Sequence, residues 1–169
     1  AIASAEPGTH ILLEPGTYRG DVRITGVSGT ERAPIVIGGK HNNPPVFKGG
    51  SQAFHLVDCS HLVLRNLRVT GFPANGINAD DGGSYETPSR GLVFENMIIE
   101  NVGPTGNHDA LKLSGVDGFT VRACTFKGWG GSAIDMVGCH DGIVTWCMFL
   151  GQDGFTQSNA VQMKGGTAR

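Results

Sequence analysis

Residues 110–126 read ALKLSGVDGFTVRACTF, and residues 133–149 read AIDMVGCHDGIVTWCMF. The two phrases start 23 residues apart, and their closing Cys-x-Phe triplets, ending at Phe126 and Phe149, keep the same spacing. The phrase occurs earlier as AFHLVDCSHLVLRNLRV from Ala53. It occurs again, interrupted, as GINADD from Gly76 followed by GLVFENMII from Gly91, and a further copy, AVQMKGG, begins at Ala160. A repeat of this length is one supersecondary unit stacked several times. In each copy the second and fourth positions are apolar: Phe54/Leu56, Ile77/Ala79, Leu111/Leu113, Ile134/Met136 and Val161/Met163. A second inward set follows (Leu62/Leu64, Leu92/Phe94, Phe119/Val121), then a third (Leu67/Val69, Met97/Ile99, Cys124/Phe126, Cys147/Phe149). Short period-2 segments separated by glycine-rich corners predict an all-β chain, a parallel β-helix (solenoid) with coils of about 23 residues.

Details of the repeat carry further expectations. Asn66 and Asn96 occupy the corner between the second and third sets, where stacked asparagines form a hydrogen-bonded ladder. Ala123 and Trp146 take that corner later and keep the ladder short. Gly142 stands where Leu62 and Phe119 stand in other copies, which predicts a local irregularity. The segments after the third strand lengthen at residues 100–109 and 150–159, and residues 82–89 form an insertion; such decorations commonly build a solenoid's binding face.

At 169 residues the chain reads as a single β-helix domain, with irregular coils over residues 1–52 and regular coils over residues 53–169. AIASAEPG reads as the last turn of a helix, and the final coil ends without a cap. The expectation is therefore a solenoid truncated at its C-terminal end. The formal net charge of −2 gives no general attraction to nucleic acid or an anionic membrane, and no apolar run is long enough to span a bilayer. The residues contain no signal peptide. The four cysteines lack CxxC spacing, so they form no metal pattern. Cys124 and Cys147 share one apolar repeat position and should stack as small hydrophobes, whereas Cys59 and Cys139 lie at turns.

The third and fifth positions of the first strand alternate with buried ones and face outward. Up the stack the third position is His55, Asn78, Lys112, Asp135 and Gln162; the fifth is Val57, Asp80, Ser114, Val137 and Lys164. With rungs about 4.8 Å apart, these residues form a flat array of short hydrogen-bonding groups of both signs. The longer loops lead into it and deliver Asn107, His108 and Asp109, then Gln157 and Asn159. Trp129, just before the Asp135 rung, offers a stacking surface to a sugar ring. Substrate-binding candidates are Asn78, Lys112, Asp135, Gln162, His108 and Trp129. Asp80, Asp81, Asp109 and Asp135 are candidate cation or hydroxyl ligands.

PGTHILLEPGTY (residues 7–18), then SGTERAPIVI (residues 28–37), then the repeated coils, resemble secreted right-handed parallel β-helix proteins, and more narrowly the alginate lyase and chondroitinase B-like polysaccharide lyases. The resemblance implies an acidic polysaccharide (a uronan) as partner, Ca²⁺ as cofactor, and β-elimination with a lysine base and an arginine one coil later. QSNAVQMKGG (residues 157–166) is similar to the lysine motif, which assigns the base to Lys164. That motif's two acidic ligands are replaced here by Gln157 and Asn159, and the arginine coil would lie past Arg169. The Ca²⁺ candidates are thus Asp80, Asp109 and Asn159. The implied location is secreted, periplasmic or cell-surface, of bacterial type. Two other readings stay open: an inverting glycoside hydrolase, with Asp80 and Asp135 about 10 Å apart, and a non-catalytic carbohydrate-binding or surface solenoid.

Overall fold

A computed structural model describes residues 2–84 and 86–165. After a single 3₁₀ turn at Ile2–Ser4, every regular element is a β-strand, and the strands fall into three six-stranded parallel sheets. The first sheet holds His10–Leu12, Ile35–Gly38, Leu62–Arg65, Val93–Glu95, Thr120–Arg122 and Ile143–Thr145. The second holds Thr17–Arg19, Val46–Lys48, Arg68–Thr70, Ile98–Val102, Thr125–Trp129 and Met148–Leu150. The third holds Val22–Thr25, Phe54–Val57, Ile77–Asp80, Leu111–Ser114, Ser132–Val137 and Asn159–Lys164. Each coil contributes one strand to each sheet, so the chain is a six-turn parallel β-helix. A two-stranded ladder, Ser89–Arg90 with Val116–Asp117, ties one corner.

The register is that of the repeat. Val22 pairs with Phe54, Phe54 with Ile77, Ile77 with Leu111, Leu111 with Ile134 and Ile134 with Val161. The advance of 23 residues belongs only to the two undecorated turns, from Phe54 to Ile77 and from Leu111 to Ile134. With the insertions the coils average about 27 residues, which corrects the shorter figure. The first coils look irregular in sequence yet stack in the same register, with Val36 between His10 and Val63.

All three inward sets line one core. Leu56, Leu64, Val69, Ile77, Phe94, Ile99, Leu111, Val121 and Phe126 are buried, and successive rings stack, Phe126 on Phe149 with centroids 5.4 Å apart. Val161 and Met163 carry the pattern into the last described strand, where both are exposed. No described helix is long and apolar enough to cross a membrane.

The corner between the first and second sheets differs from the expected asparagine ladder. Asn66 donates through Nδ2 to the carbonyl of Gly39 at 3.1 Å rather than to Asn96. What repeats is the backbone: Asn66, Asn96, Ala123 and Trp146 all adopt φ between 50° and 53°. A one-residue corner between two strands needs a left-handed residue, which asparagine tolerates better than most residues with a side chain. Ala123 holds the same conformation between two paired coils, and Trp146, 86% exposed, holds it on the last of these corners.

The irregularity at Gly142 has a steric cause. A Cβ there would lie 2.0 Å from the ring of Phe119, so the larger ring of one coil fills the slot that its neighbour leaves empty. Gly142→Leu, although it restores the repeat, should destabilise the protein by about 1–3 kcal/mol through overpacking. Adding Phe119→Val should recover part of the loss, as read from urea unfolding midpoints.

Candidate functional site

The outward face of the third sheet carries the two polar columns that the repeat predicts. Its third-position column is one residue longer than the repeat suggests, because Arg23 pairs with His55 below Asn78, Lys112, Asp135 and Gln162. Arg23 sits between Val22 and Ile24, so the same apolar alternation that marks the later copies was the signal for it.

Two charge clusters occupy this face. In the lower one, Arg23 Nη1 lies 2.9 Å from His55 Nδ1, and His55 Nε2 lies 2.6 Å from Asp80 Oδ2. An arginine can only donate, so Nδ1 accepts and Nε2 carries the proton given to Asp80. Asp80 also accepts from Asn78 Nδ2 at 3.4 Å and from the Gly82 amide at 3.0 Å. Asn78 Oδ1 is buried without a hydrogen-bond partner among the described residues. Asp81 turns away to accept the Gly83 amide at 2.8 Å.

The upper cluster is built around Asp135, which is 0% exposed. Lys112 Nζ donates to its Oδ2 at 3.1 Å. Lys164 Nζ stands 3.0 Å from its Oδ1, a charge contact outside hydrogen-bond alignment. Asp109, also 0% exposed, accepts the Ser132 amide through Oδ1 at 2.7 Å and faces Lys112 through Oδ2 at 3.5 Å. Burial pulls the Lys112 ammonium downward, but the hydrogen bond to Asp135 and the charges of Asp109 and Asp135 outweigh it, so its pKa is raised. Lys164, placed by the repeat beside Val137, therefore reaches across to Asp135 instead of resting on an apolar rung.

The wall beside these strands is formed by the loops over residues 103–109, 130–131 and 151–158, with the strand ends that lead into them. Thr156 donates its amide to Pro104 O at 2.9 Å, and Gln152 Nε2 donates to Asn101 Oδ1 at 2.6 Å. His108 lies in this wall, half-buried, packed over Gly103, where a Cβ would come within 2.1 Å of it. Gln162 joins the strands by accepting from Ser132 Oγ at 3.1 Å.

Two expectations fail on this geometry. Trp129 offers no platform to a sugar: it is 4% exposed, donates Nε1 to Asn159 O at 2.7 Å and meets Phe149 edge-on. The glycine-rich turn at Gly130 and Gly131 folds its indole inward, beneath the next coil. The Ca²⁺ set does not assemble either. Asp80 stands level with Ser114, whereas Asp109 precedes that residue by five positions, roughly 16 Å along the strand. Asn159 pairs with Ser132, which puts it about two rungs from Asp109. Gln157 spends its amide inside its own loop, on Gln152 and Phe155. Among the described residues no three acidic, histidine or cysteine side chains gather as a cation site, so these residues do not fit the metal.

No protein-family model matches the chain, and no curated sequence does. Solved structures share its fold. The pectate lyase Pel9A superposes with a TM-score of 0.58 at 21% identity, over 82% of this chain and 40% of that one. The GH136 lacto-N-biosidase from Eubacterium ramulus gives 0.59 at 16% identity, over 82% of this chain and 36% of that one. A candidate glycosyl hydrolase from Parabacteroides merdae gives 0.61 at 15% identity, over 89% and 76%. The chain thus spans about two fifths of the first two proteins. The likeness is one of fold, the parallel β-helix.

Lys112→Met leaves two buried carboxylates with Lys164 alone. It should lower stability at neutral pH, toward the low end of the roughly 3–5 kcal/mol seen when a buried pair is broken. Because the folded state raises the Lys112 pKa, its contribution is complete below the ordinary lysine value of 10.5 and is lost as pH rises through the higher folded value. Urea unfolding of both proteins from about pH 7 to about pH 12 should show the two stability curves converging at the alkaline end.

Proposed function

We propose that the chain acts on a polysaccharide, and that its substrate is a uronic acid polymer cleaved by β-elimination. The observation that carries this reading is the convergence of two partly exposed lysines on one buried carboxylate. Lys112 and Lys164 have side chains 24% and 38% exposed, and Asp135 holds both ammonium groups on the open face of the third sheet. Elimination from a uronate requires its carboxylate to be neutralised and its C5 proton removed. Lys112, kept cationic by Asp109 and Asp135, suits the first task. Lys164, the more exposed of the two and in the motif position the resemblance assigns to the base, is given the second. The electron pair left on C5 expels the glycosidic oxygen at C4, which takes a proton from water as it departs, and leaves an unsaturated uronate. No step is assigned to Ca²⁺, because the residues do not gather for it. A secreted, periplasmic or cell-surface location suits a polymer of this kind.

A second reading, a non-catalytic carbohydrate-binding solenoid, is favoured by a different observation. Arg23, His55, Asp80, Lys112, Asp135 and Lys164 are already paired with one another, so the face presents hydrogen-bonding groups with little uncompensated charge. The inverting-hydrolase pairing has less support. Asp135 is sealed beneath two lysines, so only Asp80, held by His55 but 24% exposed, remains within reach of a ligand, and the second carboxyl that the pairing needs is missing.

Incubation with alginate, pectate and chondroitin should produce the ultraviolet absorbance of unsaturated uronates. Lys164→Ala should reduce the rate about 10²–10⁴-fold, the usual worth of a general base. Lys112→Ala should act mainly on KM. New reducing ends without that absorbance would point to hydrolysis, and retention of a uronan with no product would support the binding reading.

A further inference from the structure

Cys124 and Cys147 stand at one repeat position on neighbouring coils. Thr125 pairs with Met148, and the Met148 amide donates to Cys124 O at 2.9 Å, which sets the two cysteines side by side across the second sheet. Adjacent strands lie about 4.7–4.9 Å apart, inside the roughly 4.4–6.8 Å Cα separation that a disulfide spans. Both thiols are free. Each is also steered by backbone carbonyls, Cys124 by Arg122 O at 3.3 Å and Cys147 by Thr145 O at 3.4 Å. Cys124 is buried and Cys147 half-buried. The other two cysteines cannot replace them. Cys59 and Cys139 follow the Phe54–Val57 and Ser132–Val137 strands, three rungs or roughly 14 Å apart, at a different corner of the coil.

We propose that Cys124 and Cys147 form a thiol–disulfide exchange site that takes small-molecule disulfides and closes into a covalent clasp between two coils. Cys147 is the attacking sulfur. It is half-buried whereas Cys124 is buried, so it is the thiol a small disulfide reaches first, and the neighbouring Cys124 thiol lowers its pKa against the opposing effect of burial. Its partner is shifted the other way, upward, by the neighbouring Cys147 thiol and by burial. The Cys147 thiolate attacks one sulfur of a disulfide such as oxidised glutathione. That S–S bond breaks, one thiolate departs with the proton Cys147 released, and a mixed disulfide forms. Cys124 then attacks Sγ of Cys147, and its own proton leaves with the second thiol. Two protein thiols are oxidised to one disulfide while one small disulfide is reduced to two thiols.

The folded chain is incubated with oxidised glutathione, quenched with acid, alkylated and mapped by mass spectrometry. The expected product is lighter by two hydrogens and yields one cross-linked peptide pair carrying Cys124 and Cys147, with Cys59 and Cys139 alkylated only after unfolding. Cys124→Ser should stop at a single glutathione adduct on Cys147, and Cys147→Ser should give neither adduct nor cross-link. Iodoacetamide should label Cys147 in the folded chain at pH values where a thiol peptide of ordinary pKa is inert. Three results would overturn the proposal: a stable glutathione adduct on the unmutated protein, a cross-link through Cys59 or Cys139, or no oxidation of the folded chain while the urea-unfolded chain is oxidised.

Discussion

Every feature of this protein depends on the hydrogen bonding of one coil to the next in a fixed register. Parallel pairing at about 4.8 Å puts residue upon like residue, so a side chain's neighbours are the same position of the coils above and below. Phenylalanine stacks on phenylalanine at Phe126 and Phe149, and cysteine on cysteine at Cys124 and Cys147. The decorations before the Leu111–Ser114 and Asn159–Lys164 strands leave this pairing intact because their unpaired parts, residues 103–109 and 151–158, lie between strands.

The same constraint explains why the polar face has its character. A column of outward residues less than 5 Å apart cannot hold like charges without a large repulsion, nor bury a carboxylate without partners. Arg23, His55 and Asp80 relieve each other, and Lys112 and Lys164 share Asp135. The compensation gives the face geometric precision, since the fully buried Asp135 and Asp109 anchor the lysines that a ligand would meet. It also removes the free acidic groups from which a cation site could be assembled.

Much of the fold was legible from the repeat because period-2 alternation is a local property. The inward sets, the register, the slot at Gly142 and the membership of the outward column all follow from laying the copies over one another. The coil length was misjudged because the two cleanest copies are the two without insertions. Trp129 was misplaced for a related reason: it ends the Thr125–Trp129 strand just past the repeated phrase, and its indole closes on Asn159 O instead of facing solvent. The asparagine corner was read from side chains, whereas the repeating element is a left-handed backbone that alanine and tryptophan also adopt.

The sequence by itself determined a stack of three-stranded coils and named the residues that share its outward face, Lys112, Asp135 and Lys164 among them. Only the tertiary structure decided which of them meet. ALKLSG and AIDMVG show a lysine and an aspartate on adjacent rungs; they do not show that a second lysine reaches the same carboxylate from the next coil. They also do not show that Asp109, from a loop, seals the cluster from behind. Alternation encodes the side on which a side chain leaves the strand. Ion pairing and burial are decided by distances between coils and by the packing of the loops over them.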